Sequence, residues 1–387
     1  MATTHVFIVD TITFKYHLEY QFAGTGAGEN VIDFNENSIT ELHYATENNL
    51  IGMIADFQRI RKDDFVVFYV QKDGKKEGRF FGIFQARQNY AFLDNNDNAQ
   101  FLRNELKKSL TFRTLIKPSI IYAKGVTEWE ALDSIRGMTS PNQMLWSLIY
   151  RKLKATRGNT MITLYESERL FKLLRDKNSR QALQNNTSYT YDSSLQEIVT
   201  TDGIYTYTGR QETINILPRL INKYNSVNNL NFEAHLQAYV VANVGKNTNR
   251  SLDNCLLAGL QMEWLGNEVY CGVGMQRIDV AISLVGPNSK IIEAIELKSC
   301  EATTENVIQI QRYVEWLEQY YIPNRTSDIQ PVLISKKIKD KNASFYQDII
   351  TTFKDFNTKN QRCLPLKYIE YELSNNNLVF QEQEYLT

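Results

Sequence analysis

Gln276-Arg277-Ile278-Asp279-Val280, followed by Ile295-Glu296-Leu297-Lys298-Ser299, is the stretch on which the reading of this chain turns. Both segments have the composition of β-strands, and strand side chains alternate between the two faces of a sheet. Glu296 and Lys298 therefore share a face, while Ile295 and Leu297 take the other. On the first segment Asp279 lies opposite Ile278, Val280 and Ile282. Pairing the two strands puts Asp279, Glu296 and Lys298 on one polar face over an apolar floor. Glu293, three residues before Glu296, is expected to face away. Two carboxylates suit Mg²⁺, a hard cation bound through oxygen. Such a metal lowers the pKa of a bound water, and a neighbouring Lys holds that water or offsets charge on a phosphate.

The flanks extend the pattern. In Val307–Leu317, the residues Val307, Ile310, Val314 and Leu317 fall at helical spacing and predict a buried stripe. Gln309, Tyr313 and Trp316 form a second stripe beside it. Upstream, Asn231 is placed to cap a helix whose face is Phe232, Leu236, Tyr239, Val240 and Asn243, with Glu233 in its first turn. Downstream come a strand at 331–335, a helix carrying Phe345, Ile349, Ile350 and Phe353, and a strand at 366–371. The order predicts an α/β unit with a mixed sheet in a chain that is α+β as a whole.

Over about residues 228–375 this pattern resembles the PD-(D/E)xK nuclease superfamily, and within it the catalytic domain of the NucS/EndoMS type. The resemblance rests on Arg277-Ile278-Asp279, Ile295-Glu296-Leu297-Lys298 and Gln309-x-x-Arg312-Tyr313. It implies that Asp279 and Glu296, with Leu297, hold Mg²⁺, for which Mn²⁺ substitutes. It implies Lys298 as the catalytic lysine, Glu233 as the helix glutamate and Gln309 as a supporting glutamine. Gln276 stands where such sequences often have Gly, and the Val285–Lys290 loop is long for the family.

The remaining sequence bounds the alternatives. A chain of 387 residues is expected to form more than one domain. The division read from the sequence is 1–170, a β-rich reader; 171–227, a linker with a hairpin and a helix; and 228–387, the nuclease. No run approaches a membrane span, Met1–His5 lacks the basic start of a signal peptide, and a cytoplasmic location is expected. Cys255, Cys271, Cys300 and Cys363, like the four histidines, lack metal-ligand spacing, as expected of reduced thiols. A net charge of −1 gives no global signature of nucleic-acid binding, so local patches have to supply it. Four candidates are Arg59–Lys62, Lys75-Lys76 with Arg79, Lys107-Lys108, and Arg151–Lys154 with Arg157.

In the first 125 residues strands are expected at 5–10, 65–70 and 79–84, with a helix around 51–60. The run from Asp63 through Gln71, a glycine turn, and Gly78 through Ala86 resembles the EVE/PUA-like barrels, which implies a pocket for a modified or flipped base. Gly24–Gly28 lacks the spacing of a phosphate-binding loop and reads as a flexible loop. Residues 126–175 read as helical, with Trp129, Leu132 and Ile135 on one face. Tyr189–Tyr191 and Ile204–Tyr207 flank Asp202-Gly203 as a hairpin. Pro218 is expected to bend or interrupt a helix at 211–225. The whole reads as a homodimeric, Mg²⁺-dependent restriction endonuclease acting on double-stranded DNA, without membrane association. A mismatch-directed repair nuclease and a ligand-activated defence nuclease are the alternatives.

Overall fold

The computed structural model describes residues 2–26, 31–32, 47–74, 76–151, 158–184, 188–226, 232–272 and 276–385. The cap residue Asn231, the end of the Gly24–Gly28 run, Lys75 and the 152–157 part of the last basic patch lie outside them. The chain divides into two compact units, Met1–Asn215 and Ile216–Thr387.

The first unit runs β1 (Thr4–Val9), α1 (Thr11–Glu19), β2 (Phe22–Thr25), α2 (Glu47–Gln58), β3 (Phe65–Val70), β4 (Arg79–Ala86), β5 (Phe92–Leu93), α3 (Arg103–Leu106), β6 (Phe112–Pro118) and β7 (Val126–Thr127). It continues with α4 (Glu128–Asp133), α5 (Trp146–Arg151), β8 (Asn159–Ile162), α6 (Leu164–Lys177), β9 (Tyr189–Asp192), β10 (Glu197–Thr200) and β11 (Glu212–Thr213). Its main sheet has the order β11-β5-β6-β4-β3-β1-β8, with β2 on β6 and β7 on β4, and it curls into a half-barrel. Only β1 and β3 are parallel among these pairs. The core is aromatic: Phe7, Phe14, Phe22, Phe57, Phe68 and Phe81 are all fully buried.

Several expectations are corrected in this unit. Asn159–Ile162 interrupts the helical stretch 126–175 as strand β8, antiparallel to β1. Helix α4 ends at Asp133, so Ile135 does not share its face; Trp129 and Ile135 are exposed at 63% and 64%, while Leu132 packs on the core. The hairpin pairs Tyr189–Asp192 with Glu197–Thr200 rather than with Ile204–Tyr207. Its turn is set by Asp192, whose carboxylate accepts from the Ser194 and Leu195 amides. Phe22–Thr25 is strand, so the glycine run begins inside a sheet. Of the Arg59–Lys62 patch only Lys62 is an exposed charge. Arg59 is fully buried against Asp56 at 3.2 Å, and Arg61 donates to the carbonyls of Gln58 and Arg59.

The second unit runs α7 (Leu217–Asn225), α8 (Phe232–Asn243), α9 (Arg250–Leu257), β12 (Gln261–Tyr270), β13 (Arg277–Val285), β14 (Lys290–Glu301), α10 (Asn306–Trp316), β15 (Asp328–Lys336), α11 (Ser344–Lys359), β16 (Lys367–Ser374) and β17 (Asn377–Glu382). Pro218 sits in the first turn of α7, where its missing N–H costs no helical bond, so it does not break the helix. The six strands lie in sequence order. β12, β13 and β14 are antiparallel, β14, β15 and β16 parallel, and β17 antiparallel again, which makes a mixed sheet. Ile278, Val280, Ile282, Ile295 and Leu297 are fully buried and make its floor. α8 packs on β12, β13 and β14, and α10 on β14 and β15. Most of α8 is buried, because the sheet covers one side of it and α7 another.

Candidate active site

Antiparallel register fixes the first two acidic residues. Val280 stands opposite Ile295 on β13 and β14, and the next pair outward in that register is Asp279 with Glu296. Directly opposed residues share a face at short range. The Leu297 amide donates to Asp279 Oδ2 at 2.8 Å, which ties the Asp279 carboxyl to β14. Behind it, Gln237 of α8 donates through Nε2 to the Asp279 carbonyl at 3.0 Å.

Glu296 is buried, with 1% of its surface exposed, and has two partners. Lys298 Nζ pairs with its Oε1. The Tyr313 hydroxyl, reaching in from α10, contacts its Oε2 at 2.5 Å and the Arg277 carbonyl at 2.7 Å. Just past Lys298 the β14–β15 register shifts between Leu297 and Glu301, so the strand is irregular at the site. Tyr371 of β16 donates to the Lys298 carbonyl at 3.0 Å across this region. Glu233, half-buried in the first turn of α8, accepts from the Ser299 amide and senses both Lys298 and Glu296.

Charge is unbalanced here. Three carboxylates, Glu233, Asp279 and Glu296, face one ammonium. Burial and then the Glu296 charge push the Asp279 carboxyl well above its ordinary range, against the pull of the Leu297 amide. Burial also raises Glu233, with Lys298 opposing and Glu296 adding to the effect. For Lys298, burial works to lower the ammonium, but Glu296 outweighs it and the net shift is upward. Burial and the two acidic neighbours hold the Tyr313 hydroxyl firmly protonated. Cys271, buried beside the same carboxylates, is pushed up to about 12 and is a neutral thiol.

Sequence reasoning named Asp279, Glu296, Lys298 and Glu233, and these four come together. It also named Gln309, which lies exposed on α10. The residue of α10 that reaches them is Tyr313, one turn further along the same stripe. Helical spacing from Gln309 was the available signal for it. Gln237 and Tyr371 were not anticipated, since each acts through a backbone carbonyl that only the fold brings near.

The donor set suits a hard divalent cation. Two carboxylates that repel one another at close range, with a third near by, gain from a shared cation more than either gains from water. Among the described residues no three His, Cys, Asp or Glu side chains form a ready ligand group. A cation here would draw on Asp279 and Glu296, with Leu297 between the two motif residues, and would fill its remaining positions from water or substrate oxygens.

No protein-family model and no curated protein matches the chain. Several solved structures do. One is a hypothetical protein from Leishmania major, 10% identical, covering 46% of this chain and 97% of that one, with a TM-score of 0.28. Human THYN1 in complex with 5-methylcytosine-containing DNA is 9% identical, covering 44% and 96%, with a TM-score of 0.25. Restriction endonuclease FokI is 14% identical, covering 46% of this chain and 33% of its own, with a TM-score of 0.20. Likenesses at these TM-scores establish neither a shared fold nor a shared activity. Among the described residues no helix is long and apolar enough to cross a membrane.

Proposed function

We propose that this chain is a Mg²⁺-dependent endodeoxyribonuclease of the PD-(D/E)xK type, and that it serves as a restriction endonuclease whose N-terminal unit selects the DNA. The observation that carries the reading is the surplus of carboxylates around Lys298: Asp279 and Glu296 on adjacent strands, Glu233 from α8. A buried carboxylate surplus is costly and is retained where a cation or a reaction uses it. Asp279 and Glu296 would hold Mg²⁺ or Mn²⁺, and the bound ion would activate a water and offset charge on the phosphate.

The chain's own residues supply the rest. The Leu297 amide and the Tyr313 hydroxyl fix one oxygen each of Asp279 and Glu296. Lys298 keeps a full positive charge beside Glu296, where an incoming phosphate or an attacking water is met by an N–H donor. The Glu233 carboxylate strengthens that charge. A double-strand break requires two such sites, which a homodimer supplies.

The test is incubation of the full chain and its Asp279→Asn variant with methylated plasmid, unmethylated plasmid and mismatched duplex, with Mg²⁺ or with excess chelator. Cleavage of a plasmid only with metal and only by the wild type supports a restriction enzyme. Cleavage confined to the mismatched duplex would make it a repair nuclease. Undiminished cleavage in chelator would end the metal-dependent reading.

A further inference from the structure

The two motif strands part where their functional side chains stand. Pairing of β13 with β14 ends at Val280 with Ile295, one step short of Asp279 and Glu296. On its other edge β13 pairs through Ile278 with Val269 and through Val280 with Asn267. Glu268, the residue between, has a left-handed φ of 47°, and among the described residues Asp279 has no ladder partner in either register. β14 leaves β15 in the same place. Their pairing stops at Leu297 with Ile334 and resumes at Glu301 with Lys336.

A ladder that opens inside a protein leaves carbonyls and amides that need other partners. Side chains supply them here. Gln237 of α8, 7% exposed, donates through Nε2 to the Asp279 carbonyl at 3.0 Å. Tyr371 of β16, fully buried, donates its hydroxyl to the Lys298 carbonyl at 3.0 Å. The Ser299 amide goes to Glu233, one helical turn before Gln237 on α8. Both donors are held from behind. The Tyr371 ring stacks on Phe232 at 6.1 Å and meets Phe380 at 6.2 Å, and α8 packs along β12, β13 and β14.

A strand held by its ladder aims each side chain through the pleat. Where the ladder is open, the aim of Asp279 and Lys298 depends on what fixes their own main chain. At Asp279 the main chain is fixed by Gln237, and the Leu297 amide then meets Oδ2. At Lys298 it is fixed by Tyr371, and the ammonium then pairs with Glu296.

We propose that Gln237 and Tyr371 are positioning residues with separate duties. Gln237 aims the Asp279 carboxyl at the cation, and Tyr371 aims the Lys298 ammonium at the phosphate. The assignment rests on the nuclease reading of this site, in which Asp279 is a metal ligand and Lys298 is not. Two hydrogen bonds alike in length and burial then have different consequences. Loss of the first is felt as weaker metal binding. Loss of the second is felt as slower cleavage with metal binding unchanged.

Three full-length variants test this: Gln237→Met, Gln237→Asn and Tyr371→Phe. Met keeps the length of Gln without a donor, Asn keeps the amide without the reach, and Phe lacks only the hydroxyl. Mn²⁺ is titrated calorimetrically into each metal-free protein, and plasmid cleavage is followed over a Mn²⁺ series. Both Gln237 variants should bind Mn²⁺ about tenfold more weakly and need correspondingly more metal for half-maximal cleavage. Their rate at saturating Mn²⁺ should return close to that of the wild type. Tyr371→Phe should bind Mn²⁺ as the wild type does and cleave about tenfold more slowly at saturation. Thermal unfolding without metal is the control, since a merely structural role lowers stability without separating metal affinity from rate. Equal affinity and equal rate in the variants and the wild type would overturn the proposal. So would affinity and rate falling together in both Gln237→Met and Tyr371→Phe. A wild type that neither binds Mn²⁺ nor cuts any DNA would remove the nuclease reading itself.

Discussion

Glu293 and Glu296 stand three residues apart on β14, both buried, both paired with a lysine, and on opposite faces of the sheet. Glu293 accepts from Lys367 of β16 at 3.1 Å, and the same ammonium donates to the Cys255 carbonyl at 2.9 Å. One buried carboxylate meets one ammonium there, the exposed Glu382 acts on it only from a distance, and a carbonyl accepts another of the lysine's N–H groups. Glu296 meets Lys298 as well, but Asp279 and Glu233 crowd the same space. The first face is a single buried pair that joins β14, β16 and α9. The second carries negative charge in excess, and an excess is what a divalent cation and a phosphodiester reaction consume. What separates a site from a structural pair on this strand is charge count.

That comparison breaks most visibly in cleavage. Asp279→Asn, Glu296→Gln and Lys298→Ala should each lower the DNA cleavage rate about 10³-fold or more, the scale on which single catalytic groups act. Glu293→Gln should leave it at the wild-type rate, measured on the same plasmid under single turnover. Loss of cleavage in Glu293→Gln alone would put the reactive face on the wrong side of the sheet.

The next effect is on stability. Burial pushes Glu293 up to about 7 from an ordinary 4.5, even with Lys367 pulling it down. A carboxyl raised in the folded state favours folding most while it is protonated. Its contribution is therefore fully present below pH 4.5 and is lost as the pH rises to about 7. Glu293→Gln removes that titration. Compared with the variant, the wild type should lose up to about 3 kcal/mol between pH 4.5 and 7 in denaturant unfolding. Parallel pH profiles for the two proteins would mean that Glu293 does not titrate in this range.

Smaller changes sharpen the site from its helices. Tyr313→Phe frees Glu296 Oε2 and the Arg277 carbonyl, and Glu233→Gln removes the third carboxylate. Each should cost about ten- to a hundredfold in cleavage, the usual cost of losing a group that orients a ligand. Gln309→Ala, at an exposed position, should cost less than either. An equal loss would show that Gln309 turns inward when DNA binds.

Much of the second unit was legible because its elements follow two clear periods. β15 carries the apolar run Pro331–Ile334, β13 and β16 alternate apolar with polar residues such as Asp279 and Glu370, and α10 and α11 carry apolar stripes. β12 answers to a strand expected ahead of Asp279 but could not be given bounds: Glu263, Asn267 and Glu268 interrupt it, and its register to β13 slips between Met262 and Trp264. The short strand β8 was hidden between two helical stretches, and it exists because β1 offers an edge. Helix α1 has apolar residues spread around its circumference, so no face announced it. The buried Arg59 looked like surface charge because its partners, Asp56 and the network of His5 and Asp64, include residues distant in sequence. At the site, the strand residues were readable from alternation alone. Tyr313 and Gln237 were not, because their roles depend on which helix face the fold turns inward.

The central claim is that Asp279 and Glu296 make a cation site and that Glu293 does not. Titrating Mn²⁺ into metal-free full chain tests this without knowledge of the DNA target, with heat and thermal shift as readouts. Saturable binding by the wild type and by Glu293→Gln, and its loss in Asp279→Asn and Glu296→Gln, is the predicted result. Equal binding by all four proteins, or binding lost only in Glu293→Gln, would contradict it.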